Sequence, residues 1–176
     1  MLDIETLGHL PGSIVLSIGA VKFCPIRGEI GDTFYTNIRV KEQQAAGLTS
    51  TPGTLSFWRK PENAKAFEAL KQEPRVAYPT ALEQLSDFLR DSEYVWANDP
   101  DFDCVLLESL YRAAGSEVYP WKYYNKRSCR TIFHLADVKP DRSVGVAHNA
   151  LTDSIQQAKA VIKATQILFP QPNEEA

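Results

Sequence analysis

The sequence predicts a mixed α/β sheet flanked by helices. Two observations carry this reading. Alternating, β-branched runs fill the N-terminal part, as in Gly12 to Phe23 and Asp32 to Val40. The remainder places helix-period stretches on either side of one short apolar run, Tyr94-Val95-Trp96-Ala97. Strands first, then helix–strand–helix, is the element order of such a sheet. The 176 residues show no internal repeat and suit a single core-bearing domain. That domain is expected over residues 1–169, with a polar tail at 170–176.

The elements follow in order. Gly12 to Phe23 alternates as a strand does, and Pro25 and Gly28 end it in a turn. In the next strand Phe34, Thr36, Ile38 and Val40 share one face. Residues 41–56 are polar, carry Gly47, Pro52 and Gly53, and read mostly as loop. Leu55 to Lys60 contains Phe57-Trp58, and Pro61 to Gln72 reads as a helix. From Thr80 a second helix is marked by Leu82, Leu85, Phe88 and Leu89 on one stripe. Tyr94 to Ala97 is a short buried strand, and Asn98 to Phe102 a turn. Asp103 to Ala114 is helical and closed by Gly115. Residues 116–128 read as loop, Cys129 to Ala136 as a short helix, and 137–147 as loop. The last helix runs from Asn149 to Leu168, with Ala158, Val161, Ile162 and Thr165 facing inward.

Net charge is −3 and the pI is about 5.6. A broad, non-specific nucleic-acid clamp would be basic and is disfavoured. Clustered metal-binding acids are compatible with this balance, because bound cations restore local positive charge. Cys24, Cys104 and Cys129 are odd in number and scattered, without zinc spacing. Reduced thiols in a cytoplasmic protein are the expectation. No apolar run approaches the ~20 residues of a membrane span, so no membrane partner is expected. Acids precede any apolar stretch, which argues against a signal peptide. Only two residues precede Asp3, so a strand carrying it is expected to be short on that side or trimmed.

The chemistry starts at Met1-Leu2-Asp3-Ile4-Glu5-Thr6-Leu7-Gly8. In a strand Asp3 and Glu5 point to the same face and Leu2 and Ile4 to the other. Two adjacent acids repel and are costly to desolvate together, and a cation between them removes that cost. Oxygen ligands of this kind suit Mg²⁺ or Mn²⁺. Read singly, the pair is two solvated acids. A second acid lies in Trp96-Ala97-Asn98-Asp99-Pro100-Asp101-Phe102-Asp103, where a strand meets a helix. Asp103 is favoured because it starts the apolar helix, whereas Asp99 and Asp101 flank a proline as turn residues do. Its bland alternative is a helix N-cap. The third element is His148-Asn149-Ala150-Leu151-Thr152-Asp153. On one regular helix His148 and Asp153 would lie about 140° apart. His148 is therefore expected in the preceding loop, its ring mobile and folded over, with Asp153 pointing inward from the helix.

Together these pieces resemble the DEDDh 3′–5′ exonucleases, which have a ribonuclease-H-like fold. Asp-x-Glu, an Asp after Asn and Phe, and His-x4-Asp occur in the family's order. Asp3 to Gly8, Ser17 to Val21, Trp96 to Asp103, Arg130-Thr131 and His148 to Asp153 are most similar to the small bacterial and phage exoribonucleases related to ribonuclease T and oligoribonuclease. Ser128 departs from the pattern, which has an acid ahead of Arg130-Thr131. The resemblance implies two Mg²⁺ ions, with Mn²⁺ as substitute. Asp3, Glu5 and Asp153 would hold one ion, Asp3 would bridge to the second, and Asp103 would support that one. His148 would be the general base. Leu7 and Gly8 would meet the terminal nucleotide. On residue chemistry alone, Phe57 and Trp58 either stack on bases or are core aromatics of an amphipathic segment, and Arg130 and Arg127 either hold phosphate or are solvated, as lone arginines more often are. The implied partner is the 3′ end of single-stranded RNA, or of DNA, and relatives are often homodimers. The competing readings are a proofreading-type exodeoxyribonuclease and a non-catalytic nucleic-acid-binding module on the same fold.

Overall fold

The computed structural model describes residues 1–72, 74–145 and 147–170, so the tail expected at 170–176 lies outside it apart from Pro170. Among the described residues six strands form one mixed sheet in the order β4-β3-β2-β1-β5-β6. They are β1 (Leu2–Thr6), β2 (Val15–Cys24), β3 (Glu29–Ile38), β4 (Arg75–Val76), β5 (Val95–Ala97) and β6 (Lys126–Ser128). β1, β2 and β3 form an antiparallel meander. β5 runs parallel to β1 and β6 parallel to β5. The helices are α1 (Val40–Ala45), α2 (Pro52–Trp58), α3 (Ala64–Ala69), α4 (Tyr78–Leu89), α5 (Pro100–Ala113), α6 (Cys129–Ala136) and α7 (Ala150–Leu168). This is a ribonuclease-H-like α/β arrangement, as the sequence predicts.

Two apolar clusters sandwich the sheet. Leu2, Ile4 and Ile18 pack with Leu82 and Leu85 of α4 and Leu106, Leu107 and Leu110 of α5. On the other side Met1 and Val21 pack with Cys129 and Phe133 of α6 and Ala158, Val161 and Ala164 of α7. Complete burial of side chains this size contributes about 1.5–3 kcal/mol each. The alternation within β1 thus leaves Asp3 and Glu5 on the α7 side.

Three stretches differ from the sequence expectation. Residues 41–56 are not mostly loop: α1 and α2 occupy most of them. Gln43 on α1 explains the first. Its fully buried amide accepts from Val15 N–H at 2.9 Å and donates to Val15 O at 2.8 Å. A single side chain thereby satisfies backbone that would otherwise be orphaned. The expected helix over Pro61 to Gln72 divides into a 3₁₀ turn, Pro61–Asn63, and the short α3. The loop at 116–128 contains a 3₁₀ turn and β6, which pairs with β5 through Trp96 and Arg127.

Candidate active site

The site lies where the C-terminal end of β1 meets the N-termini of α5 and α7. Strand pairing sets the first two acids. Asp3 pairs with Gly19 and Glu5 with Ser17 across β1 and β2, and the register slips between Glu5 and Thr6. Asp3 Oδ1 accepts a 2.9 Å hydrogen bond from Gln157 Nε2 of α7. Burial holds the Asp3 carboxyl well above its ordinary range, reinforced by the charges of Asp103 and Glu5; the Gln157 bond opposes them. Burial, then Asp153 and Asp103, push Glu5 up to about 8.

Asp103 projects from the first turns of α5 and is buried. Desolvation raises it to about 7, although the backbone N–H of Ile4 favours its charged form. Asp99 is the actual N-cap of α5 and accepts from Asp101 N–H at 3.2 Å. Asp101 is exposed in the first turn rather than in a preceding turn.

Asp153 sits one turn into α7, behind the Asn149 cap whose side chain accepts from Thr152 N–H at 3.0 Å. The helix reaches the acids because Gly19 lets it. A Cβ at Gly19 would lie 2.2 Å from both Ala150 C and Leu151 N. Burial raises the Asp153 carboxyl, while His148 and Arg142 oppose that shift. His148 precedes the cap with a left-handed backbone, φ 60°. Its ring stands edge-on to Phe57 at 4.9 Å and to Trp58 at 6.2 Å between centroids. Donor atoms of Glu5, His148 and Asp153 all lie within 4.8 Å of one another.

Two cavities flank the acids. One of about 290 Å³ is lined by Asp3, Glu5, Asn98, Arg142, His148 and Asp153, among others. The other, of about 380 Å³, opens between Glu5, Gly8, His9, Phe57, Phe102 and His148. A larger cavity of about 850 Å³ lies at the far end of β2 and holds none of these acids.

The expected substrate contacts need correction in part. Gly8 lines the cavity beside Glu5, and a Cβ there would strike Ser13 Oγ at 2.3 Å. Leu7 does not line it. Its side chain joins the core, its N–H donates to Ile14 O, and its carbonyl accepts from Thr51 N–H. Phe57 is half-buried and presents to the cavity. Trp58 touches the same cavity but is 3% exposed, stacked on Phe67 and bonded through Nε1 to Thr6 O at 2.8 Å. One face and the polar edge are engaged within the fold and little of the ring is exposed, so Trp58 is a floor of the cavity and offers no open face to a base. Arg130 is exposed and paired with Asp99 at 3.0 Å, outside both cavities. Arg127 lies over the Tyr94 ring at 4.2 Å and lines the distant cavity, away from the acids.

The chain matches the family model of the Rv2179c-like 3′–5′ exoribonuclease domain over residues 1–165. It belongs to that family. A comparison with curated proteins found no match. Membership of the Rv2179c-like family makes the chain an exonuclease of the 3′–5′ exoribonuclease type. The residues present fit divalent cations. Buried carboxylates that repel one another are relieved by a cation, and their oxygens suit a hard one. Gln157 adds a buried Oε1 with no partner among the described residues.

The sequence reading passed over Gln157, His9 and Arg142. Gln157 is four residues after Asp153 on one helix, so spacing alone places both on one face. His9 directly follows the acid motif, and its Nδ1 lies 3.4 Å from Thr51 Oγ1. Arg142 sits in a loop whose spacing carries no such signal.

Proposed function

We propose that this exonuclease is Mg²⁺- or Mn²⁺-dependent and shortens single-stranded RNA stepwise from its 3′ end, releasing 5′-mononucleotides. Two observations carry this reading: donor atoms of Glu5, His148 and Asp153 lie within 4.8 Å of one another, and the buried Asp103 carboxyl is close enough to raise the pKa of both Asp3 and Glu5. Asp3, Glu5, Asp103 and Asp153 would hold two cations, which when bound supply Lewis-acid activation of water and neutralise the leaving oxygen. His148 takes the proton of the attacking water, a role for which imidazole suits neutral pH. The water oxygen bonds to phosphorus and the P–O3′ bond breaks. The shortened strand leaves with a 3′-hydroxyl, which acquires its proton from solvent, and the released nucleotide keeps the phosphate on its 5′ carbon.

The cavity lined by Gly8, His9, Phe57 and Phe102 takes the terminal nucleoside. Its aromatic walls accept any base, because every base has a π-face. A net charge of −3 gives little grip on a long duplex, which favours single strands. The test is digestion of matched 5′-labelled RNA and DNA strands with Mg²⁺, Mn²⁺ or EDTA. A metal-dependent ladder that is faster on RNA is the expected result. Immediate release of a labelled mononucleotide would mean attack from the 5′ end and would overturn the reading. Equal or faster digestion of DNA would make the chain a deoxyribonuclease of the same chemistry.

A further inference from the structure

We propose that Arg142 is the ligand of the scissile phosphate, an assignment that rests on the exonuclease reading above. Arg142 lines the cavity that holds Asp3, Glu5, His148 and Asp153. Among the described residues no other Arg or Lys lines either cavity beside the acids. It is exposed, and among the described residues it makes no ion pair or hydrogen bond. Its neighbour Asp141 is engaged elsewhere. The Asp141 carboxylate accepts from Ser143 N–H at 2.9 Å and from Ser143 Oγ at 2.6 Å. That local turn orders the 141–143 segment and occupies Asp141 Oδ1 within it.

The segment is also braced on the catalytic helix. Gly145 has φ 84°, and a Cβ there would fall 2.6 Å from Thr152 Cγ2. Thr152 immediately precedes Asp153, so the loop bearing Arg142 packs on the turn that bears an acid. The guanidinium feels the charge of Asp153 but makes no direct ion pair with it, so its N–H donors remain available to a bound anion. The anion this site must admit is a phosphodiester. Hydrolysis builds charge on the non-bridging oxygens, and the planar fork of arginine fits two of them. Donors aimed where charge develops act on turnover more than on binding.

The test uses the full chain and two substrates. One is a 5′-labelled single-stranded RNA, and the other is the p-nitrophenyl ester of thymidine 5′-monophosphate, which contains one phosphodiester and no upstream phosphate. Arg142→Gln should lower kcat on both by about 10²-fold, the usual effect of removing one such donor. Arg142→Lys should retain more activity than Arg142→Gln. Mn²⁺ affinity by calorimetry should be unchanged or tighter, because a positive charge near the acids is gone. A loss confined to the RNA, expressed as a higher KM, would place Arg142 on an upstream phosphate and overturn the assignment. Equal losses in the Lys and Gln variants with weakened Mn²⁺ binding would reduce Arg142 to loop structure and also overturn it. Wild-type protein inert on both substrates would sink the exonuclease reading itself. An active wild type with unaffected variants would sink only the role of Arg142.

Discussion

Gly19→Ala is the change through which the fold should most clearly reach the chemistry. The added Cβ would sit 2.2 Å from Ala150 C, 2.2 Å from Leu151 N and 2.4 Å from Ala150 O. Bringing 2.2 Å to an ordinary contact of 3.4 Å requires about 1.2 Å of withdrawal by the start of α7. The opposing atoms are helix backbone and cannot rotate away. Overpacking of this kind costs about 1–3 kcal/mol. For a chain this long that lowers the thermal midpoint by roughly 2–4 °C per kcal/mol. Asp153 stands in the same first turns and moves with them. A misplacement near 1 Å costs roughly 10²-fold in rate. The assay is turnover on labelled RNA alongside thermal unfolding. Gly31→Ala serves as control, since its Cβ would meet nothing closer than 3.4 Å. Wild-type turnover in folded Gly19→Ala protein would refute the claim that this close approach positions Asp153.

Further outcomes follow from the same geometry. Asp3→Asn should abolish most activity and weaken Mn²⁺ binding by calorimetry, yet raise the metal-free thermal midpoint by removing a carboxyl whose ionised form burial disfavours; unchanged Mn²⁺ affinity would place the ion elsewhere. Without metal, Glu5 at about 8 and Asp103 at about 7 hold protons that the unfolded chain has already released. Metal-free stability should therefore fall as pH rises from about 4 to about 8. Stabilisation by Mn²⁺ should grow over the same range, and thermal unfolding at several pH values, with and without Mn²⁺, checks both trends. Trp58→Phe leaves Thr6 O without its indole donor and should cost about 1–3 kcal/mol. Chemical denaturation reads that loss, and unaltered stability would remove Trp58 from its role as floor.

The sheet and its two covering layers were legible because their signals are local. Alternation in β2 and β3 and the stripes of α4 and α7 each lie within one window. The acids were legible for the same reason, since each belongs to a short motif at a strand end or helix start. α1 was not, because the bonds of Gln43 to Val15 join residues 28 apart in the chain. Trp58 stays open between base stacking and core packing in the sequence, because its neighbours do not reveal that Phe67 and Thr6 engage it. Leu7 was misread, as Ile14 and Thr51 claim its backbone from outside the motif. Arg130 and Arg127 resemble phosphate ligands in sequence, but Arg130 pairs with Asp99, Arg127 lies over Tyr94, and neither lines the cavities beside the acids. Arg142 carries no pattern at all, and only the folding of its loop onto α7 brings it to the site.

The division of labour between the carboxylates and His148 is the centre of the account, and geometry alone permits an alternative. A ring nitrogen of His148 lies within 4.8 Å of carboxylate oxygens on Glu5 and Asp153, close enough for it to serve as a metal ligand. Mn²⁺ calorimetry on His148→Ala, read beside its turnover, separates the two roles. Turnover should fall by roughly 10²–10⁴, the worth of a general base, while Mn²⁺ affinity stays at the wild-type value. Collapse of Mn²⁺ affinity together with turnover would contradict that division and make His148 a ligand.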